Sequence, residues 1–75
     1  MITPGMLKDM LEDNIPEARV QVADMTGTMD HYHVDIVSPV FEGKSLIEQH
    51  KLVHAACGEY LGREIHALQI KTSTP

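Results

Sequence analysis

Three segments of this chain alternate apolar and polar side chains, and a long helical pattern separates the second segment from the third. They are ARVQVAD (residues 18–24), HYHVDIVSPV (31–40) and EIHALQIKT (64–72). An alternation with a period of two predicts strands that bury one face. Two strands of one sheet that are joined through a helix almost always run parallel. The second and third strands are therefore predicted to begin at the same edge of the sheet.

The same alternation predicts which strand residues form the core. Those expected to point inward are Val20, Val22, Tyr32, Val34, Ile36, Leu68 and Ile70. Pro39 cannot donate a sheet hydrogen bond, so pairing of the second strand is expected to end near it. The loop of residues 24–30 carries Gly27 among turn-forming residues and is expected to be mobile. The loop is predicted to lie against the edge of the sheet at which the second and third strands begin.

A first helix is predicted from TPGMLKDMLEDNIP, residues 3–16. Thr3 is a favoured N-cap and Pro4 suits the first helical position, while Pro16 marks the end of the pattern. Its apolar residues recur at helical spacing and are expected to lie in the core: Met6, Leu7, Met10 and Leu11.

A second helical segment is predicted from FEGKSLIEQHKLVHAACGEYLG, residues 41–62. Ser45 as the N-cap and Glu48 three residues later form a capping box. Gly58 is expected to divide the segment into two helices, and Gly62 to cap its end. The residues that share its apolar arc are Leu46, His50, Val53, Ala56, Cys57, Tyr60 and Leu61.

Charge and cysteine content limit the function. Seventy-five residues predict one domain, residues 1–75. Eleven acidic against six basic residues give a net charge of −5, which disfavours non-specific binding to duplex nucleic acid. A single cysteine excludes an internal disulfide and suits a reducing compartment such as the cytoplasm.

The sequence has neither a membrane-length apolar run nor a signal-peptide pattern. It also has neither a nucleophile elbow nor a phosphate-binding glycine loop, so we expect a non-enzymatic protein.

Residues 37–75, VSPVFEGKSLIEQHKLVHAACGEYLGREIHALQIKTSTP, resemble the BolA-like proteins. Three motifs occur in order: an F-x-G-x-S turn at Phe41, Gly43 and Ser45, a helix motif at Gln49, His50, Lys51 and Val53, and the ending IHAL…KT-x-TP. Gln49 departs from the arginine that the family usually has. This departure removes a charge from the helix proposed for nucleic-acid contact.

The resemblance implies an α/β (α+β) sandwich of the class II KH-like type. The implied order is α-β-β-α-α-β, with a three-stranded mixed sheet and the helices on one face. It also implies a heterodimer with a monothiol (CGFS) glutaredoxin, a [2Fe-2S] cluster that bridges the two proteins with glutathione, and a role in iron sensing or cluster delivery. Some members of the family are described as transcriptional regulators. The alternative is therefore a DNA-binding regulator that uses the helix around Lys44 and Lys51.

The family resemblance also implies the cluster ligands. His66 of the IHAL motif matches the family's ligand, and His31 is the best match to a second ligand from the loop before the second strand. Two histidines can replace two thiolates on one iron of a [2Fe-2S] cluster, so this chain would supply half of a site. His33 is the alternative to His31 and is disfavoured because it points to the opposite face from Tyr32.

Each candidate ligand also has a structural interpretation that involves no metal. His66 could be a strand-edge histidine that is hydrogen-bonded to a backbone carbonyl. His50 is expected to be a satisfied structural group in its helix, and the His50–His54 pair has metal-ligand spacing without an evident third ligand. Cys57 is expected to be a buried, inert thiol.

Overall fold

A computed structural model describes residues 2–25, 27, 31–63, 65 and 67–75. Two helices and three strands follow one another as α1 (Pro4–Asn14), β1 (Arg19–Asp24), β2 (His31–Val37), α2 (Leu46–Cys57) and β3 (Ala67–Ser73). The sheet order is β1-β2-β3, with β1 antiparallel and β3 parallel to β2. The predicted α+β fold with a mixed three-stranded sheet and a parallel β2–β3 pair is confirmed. The predicted mobility of the 24–30 loop stays a prediction, because residues 26 and 28–30 lie outside the described part.

The central strand β2 supplies the middle of the core. Tyr32, Val34 and Ile36 are all buried, as the alternation predicts. Their neighbours in one continuous cluster come from both helices and include Leu7, Leu11, Val53 and Cys57. Both helices therefore pack on the same face of the sheet.

Helix α1 begins and ends where the sequence predicts. The Thr3 hydroxyl accepts a hydrogen bond from the Met6 backbone N–H at 3.1 Å, and Pro4 is the first helical residue. Leu7 and Leu11 are buried, but Met6 is 50% exposed, so its predicted place in the core is wrong. A sheet of only three strands covers a narrow stripe of the helix, and Met6 lies about 100° around the axis from Leu7.

Helix α2 has the predicted start but a different end. Ser45 and Glu48 form the capping box in both directions. The helix stops at Cys57, and Gly58 has a positive φ of 59° that an α-helix cannot continue. The predicted second helix is instead a single 3₁₀ turn over Gly58–Tyr60.

Leu46 is predicted to lie in the apolar arc of α2, and this prediction is wrong because 63% of its surface is exposed. It is the first residue of α2, and helical side chains lean toward the N-terminus of their own helix. Its side chain therefore extends past the end of the helix instead of into the core. Ile47, which follows it and is not part of the predicted arc, is 69% exposed.

The link between β2 and α2 is held by Ser38, the one polar residue among the buried described residues. Its hydroxyl donates to the Pro16 carbonyl at 2.5 Å and accepts from the Val40 N–H, and its own N–H donates to the Ser73 carbonyl at 3.0 Å. These bonds tie the end of α1, the end of β2 and the end of β3 together. Regular pairing ends at Val37, as Pro39 predicts.

Candidate functional site

The starts of β2 and β3 lie side by side at one edge of the sheet. His31, the first residue of β2, is paired with Ala67, the first residue of β3. This is the edge at which the family resemblance implies two histidine ligands. His66, the predicted principal ligand, lies outside the described residues, and its role stays a prediction.

The residues on both sides of His66 are held firmly. Ile65 is fully buried, its N–H donates to the Tyr60 carbonyl at 3.0 Å, and its carbonyl accepts from the Gly62 N–H at 2.9 Å. Ala67 is fixed by the parallel ladder with β2. The backbone that carries the IHAL motif is thus anchored before and after the histidine.

His31 is half-buried and is held by its backbone as the first residue of β2. Its carbonyl accepts a hydrogen bond from the Met25 N–H at 2.8 Å, which continues the β1–β2 ladder to the strand start. Strand alternation places His31 and His33 on the same face, opposite Tyr32. The face argument that disfavoured His33 therefore applies equally to His31.

One observation still separates the two histidines. His33 is paired with Gln69, two residues further from the edge than the His31–Ala67 pair. The His33 Nε2 lies 3.4 Å from the Asp35 carboxylate, but this contact does not rank the two histidines. Position along the strand, not the face of the sheet, distinguishes His31 as the edge histidine.

Cys57 is the single thiol of the chain, and it is fully buried in the core. Burial raises its pKa from an ordinary 9.0 to about 11. A thiolate is the form that binds metals and reacts, so Cys57 is held as a protonated thiol at neutral pH. The predicted burial of Cys57 is confirmed, and its inertness stays a prediction.

His50 differs from its prediction as a satisfied structural group. Its Nε2 is buried and has no hydrogen-bond partner among the described residues. The arc of a helix predicts that a residue is buried, but it does not predict whether a partner reaches the polar atom. His54 is exposed, and the described part of the chain contains no group of three metal-ligating side chains.

Comparison with known proteins gives the family. The family described as BolA-like protein matches residues 6–75. The chain belongs to the BolA-like family. Protein RP812 of Rickettsia prowazekii is 39% identical over 71 residues, which cover 95% of this chain and 92% of that protein. The resemblance predicted from three motifs is confirmed.

Solved BolA structures share the fold over nearly the whole chain. A BolA homologue from Coxiella burnetii has a TM-score of 0.86 at 33% identity and covers 100% of this chain and 94% of its own. The BolA domain of SufE1 from Arabidopsis thaliana has a TM-score of 0.83 at 29% identity, over 96% of this chain and 91% of that one. The BolA fold thus occurs both as a small protein and as a named domain of another protein.

The family's F-x-G-x-S turn is held in this BolA-like chain by Gln49, a role that the sequence did not reveal. The Gln49 side-chain amide donates to the Lys44 carbonyl at 2.9 Å and to the Phe41 carbonyl at 3.4 Å. Its oxygen accepts from the Thr72 hydroxyl of β3. The sequence predicts only the loss of an arginine charge here, whereas Gln49 joins the turn, α2 and β3.

The basic residues of the C-terminal half, which include the Lys44 and Lys51 proposed for nucleic-acid contact, are interspersed with carboxylates. Arg63 lies 3.7 Å from the Glu59 carboxylate. Glu48 stands between Lys44 and Lys51 in the chain, and hydrogen bonds from Ser45 hold the pKa of its carboxyl below the usual range, with a smaller contribution from the Lys44 charge. The described surface around Lys44 and Lys51 therefore carries mixed charge, which argues against the DNA-binding alternative.

Proposed function

We propose that this BolA-like chain is a non-enzymatic adaptor that forms a heterodimer with a monothiol (CGFS) glutaredoxin. The two proteins share a bridging [2Fe-2S] cluster with glutathione, and the complex acts in iron sensing or cluster delivery in the cytoplasm. The observation that carries the proposal is the pairing of His31 with Ala67, which brings the starts of β2 and β3 together.

The donor groups of this chain fit half of such a cluster site. His31 offers an imidazole at the sheet edge, and the family resemblance assigns a second one to His66, the chain neighbour of Ala67. Cys57 is buried and protonated, so it does not offer a thiolate. Thiolates must therefore come from the partner and from glutathione. When bound, a cluster with two histidine ligands has a higher reduction potential than an all-thiolate cluster.

The surrounding packing keeps the edge in place. The fully buried Tyr32, next to His31, donates a hydrogen bond to the Ile2 carbonyl at 2.7 Å, and Ile65 is buried next to His66. Ligands carried by anchored strands are positioned before the metal arrives, which lowers the entropic cost of binding. In this proposal β2 and β3 act as a rigid platform that presents imidazoles to the partner.

The proposal is tested by co-expression of the chain with a CGFS glutaredoxin and anaerobic size-exclusion chromatography with visible absorption. We expect a coloured heterodimer. His66→Ala should abolish the mixed-ligand spectrum, and His31→Ala should alter the spectrum and speed cluster loss while the heterodimer persists. His54→Ala, an exposed histidine of α2, is the matched control and should leave the spectrum unchanged.

Three results would contradict the proposal. The first is a colourless mixture in which the two proteins elute separately. The second is a cluster spectrum that survives in His66→Ala. The third is loss of the spectrum in His54→Ala as well, which would indicate a general effect of removing a histidine. Far-UV circular dichroism of each variant establishes that the fold is retained.

A further inference from the structure

A shallow groove of about 380 Å³ runs along α1 beside the 3₁₀ turn Gly58–Tyr60. Its apolar lining consists of Ile2, Met6, Met10 and Tyr60. Its acidic lining consists of Asp9 and Asp13, and none of the residues that line it is basic. The groove is thus apolar along one side and negatively charged along the other.

The apolar side of the groove is only partly covered by the chain itself. Met6 is 50% exposed, while Met10 and Tyr60 are half-buried against the edge of the core. Met6 and Met10 are four residues apart and lie one above the other on α1. Methionine side chains are flexible and polarizable, which suits them to contact surfaces that adapt to a partner.

The acidic side of the groove has uncompensated charge. Asp9 and Asp13 are also four residues apart, and like charges at this spacing repel each other. Neither makes a hydrogen bond or an ion pair within the described chain. The nearby Lys8 is bound to Glu12 at 3.0 Å. A cation from outside would remove the repulsion.

We propose that this groove docks a basic amphipathic helix of a partner protein. Apolar side chains of that helix fill the space between Met6, Met10 and Tyr60, and its lysine or arginine residues pair with Asp9 and Asp13. Met6 to Asp13 spans about 10 Å along α1, or two helical turns. This length accommodates the i, i+4, i+7 anchors by which amphipathic helices bind grooves.

The proposal uses neither His31 nor the starts of β2 and β3, so it does not rest on the proposed cluster site. A second copy of the chain is a less complementary occupant, because each copy carries a net charge of −5. Self-association is therefore an outcome of the test that counts against the proposal.

The test uses a synthetic helix of about four turns, with leucine at i, i+4 and i+7 and lysine at the exposed positions. A matched peptide carries glutamate in place of lysine. Binding to the full chain is measured by calorimetry at about 0.02 M and about 0.15 M salt. Peptide-induced changes are mapped by backbone amide NMR. We expect the lysine peptide alone to bind, more weakly at the higher salt, with changes concentrated in residues 6–14 and at Tyr60.

Variants separate the groove from net charge. Asp9→Asn with Asp13→Asn should weaken binding by about three- to tenfold at low salt. Glu17→Gln with Glu42→Gln makes the same change of net charge at exposed residues outside the groove and should leave affinity within about twofold. Met6→Gln should weaken binding without reducing its salt dependence, because it removes an apolar contact and no charge.

The proposal is overturned by any of three results. The control pair could weaken binding as much as the groove pair, which would mean attraction to net charge alone. The amide changes could map to the open face of the sheet around His33 and Lys71. Light scattering could show a dimer whose formation Met6→Gln abolishes, which would make a second copy the occupant. Thermal unfolding of every variant verifies that α1 remains folded.

Discussion

Tyr32, the second residue of β2, donates a buried hydrogen bond from its hydroxyl to the Ile2 carbonyl oxygen at 2.7 Å. Both residues belong to the core, and thirty positions of sequence separate them. The bond joins the segment before α1 to the strand that presents His31. It therefore couples the position of α1 to the edge of the sheet at which we propose that a cluster binds.

Tyr32→Phe tests how much this hydrogen bond contributes to stability. Removal of the hydroxyl leaves the buried Ile2 carbonyl without this partner, and we expect a loss of about 1–3 kcal/mol in the free energy of unfolding. Urea denaturation followed by circular dichroism measures it. Tyr60→Phe is the matched control at a half-buried tyrosine and should change stability by less than about 0.5 kcal/mol. Equal effects of the two substitutions would mean that the Ile2 bond contributes nothing specific.

Gln49 and Thr72 provide a second test of a contact that the sequence does not predict. Gln49→Arg keeps donors for the Lys44 and Phe41 carbonyls but cannot accept from the Thr72 hydroxyl. We expect it to fold and to lose about 1 kcal/mol of stability.

A double-mutant cycle with Thr72→Val isolates that bond. Thr72→Val should lower the free energy of unfolding in the original chain by about 0.5–1.5 kcal/mol and have little further effect in the Gln49→Arg background. Additive losses in the double variant would show that Thr72 and Gln49 do not interact.

The parts of the fold that sequence predicts are those that depend on near neighbours. Thr3 and Ser45 each bond an N–H three residues away, so the helix starts are encoded locally. The alternation of Tyr32, Val34 and Ile36 encodes the buried face of β2 in the same way. The parallel pairing then follows from chain connectivity through α2.

The parts that sequence does not predict depend on distant residues. Gln49 binds Thr72 across 23 positions, and no local pattern indicates that pairing. The exposure of Met6 depends on the width of the sheet beneath α1. The buried Nε2 of His50 has no hydrogen-bond partner among the described residues. Whether another element supplies a partner to this atom cannot be read from the helical pattern around it. Within the candidate site, the edge pairing of His31 follows from the topology, whereas the role of His66 rests on the family resemblance.

Cys57 gives a prediction about alkaline pH. Its folded pKa of about 11 lies above its ordinary value of 9.0. Between these values the unfolded chain releases a proton that the folded chain keeps, so stability should fall as pH rises through that interval. Urea denaturation of the chain and of Cys57→Ala across this range measures the difference.

Burial of Cys57 also predicts slow chemical modification. A thiol reagent at about neutral pH should modify the folded protein far more slowly than the urea-unfolded protein. Rapid modification in native buffer would contradict the burial.

Glu12 predicts a loss of stability as pH falls, in contrast to the loss that Cys57 predicts as pH rises. Hydrogen bonds from Lys8 and from the Val20 N–H lower the pKa of its carboxyl from 4.5. The folded chain then binds a proton less readily than the unfolded chain, so this stabilisation is complete above pH 4.5 and is lost as pH falls through the lowered value. Glu12→Gln should therefore lose stability at neutral pH and show a smaller further loss on acidification. Asp13→Asn, at an exposed carboxyl without a partner in the described chain, is the control and should retain the full acid dependence.

The mixed charge around Lys44 and Lys51 predicts weak DNA binding. With a net charge of −5 and Glu48 between the two lysines in the chain, the isolated protein should bind duplex DNA with a Kd of about 10⁻⁵ M or weaker at physiological salt, without sequence preference. Fluorescence anisotropy over a series of salt concentrations measures the affinity and the number of phosphate contacts. Replacement of both lysines by glutamine should leave the salt dependence nearly unchanged, whereas a true phosphate-binding face would lose about two units of its logarithmic slope. Sub-micromolar, sequence-selective binding that is lost in Lys44→Gln and Lys51→Gln would contradict this prediction and make α2 a DNA-binding helix. Only specific contacts could overcome the repulsion between this acidic protein and the phosphate backbone.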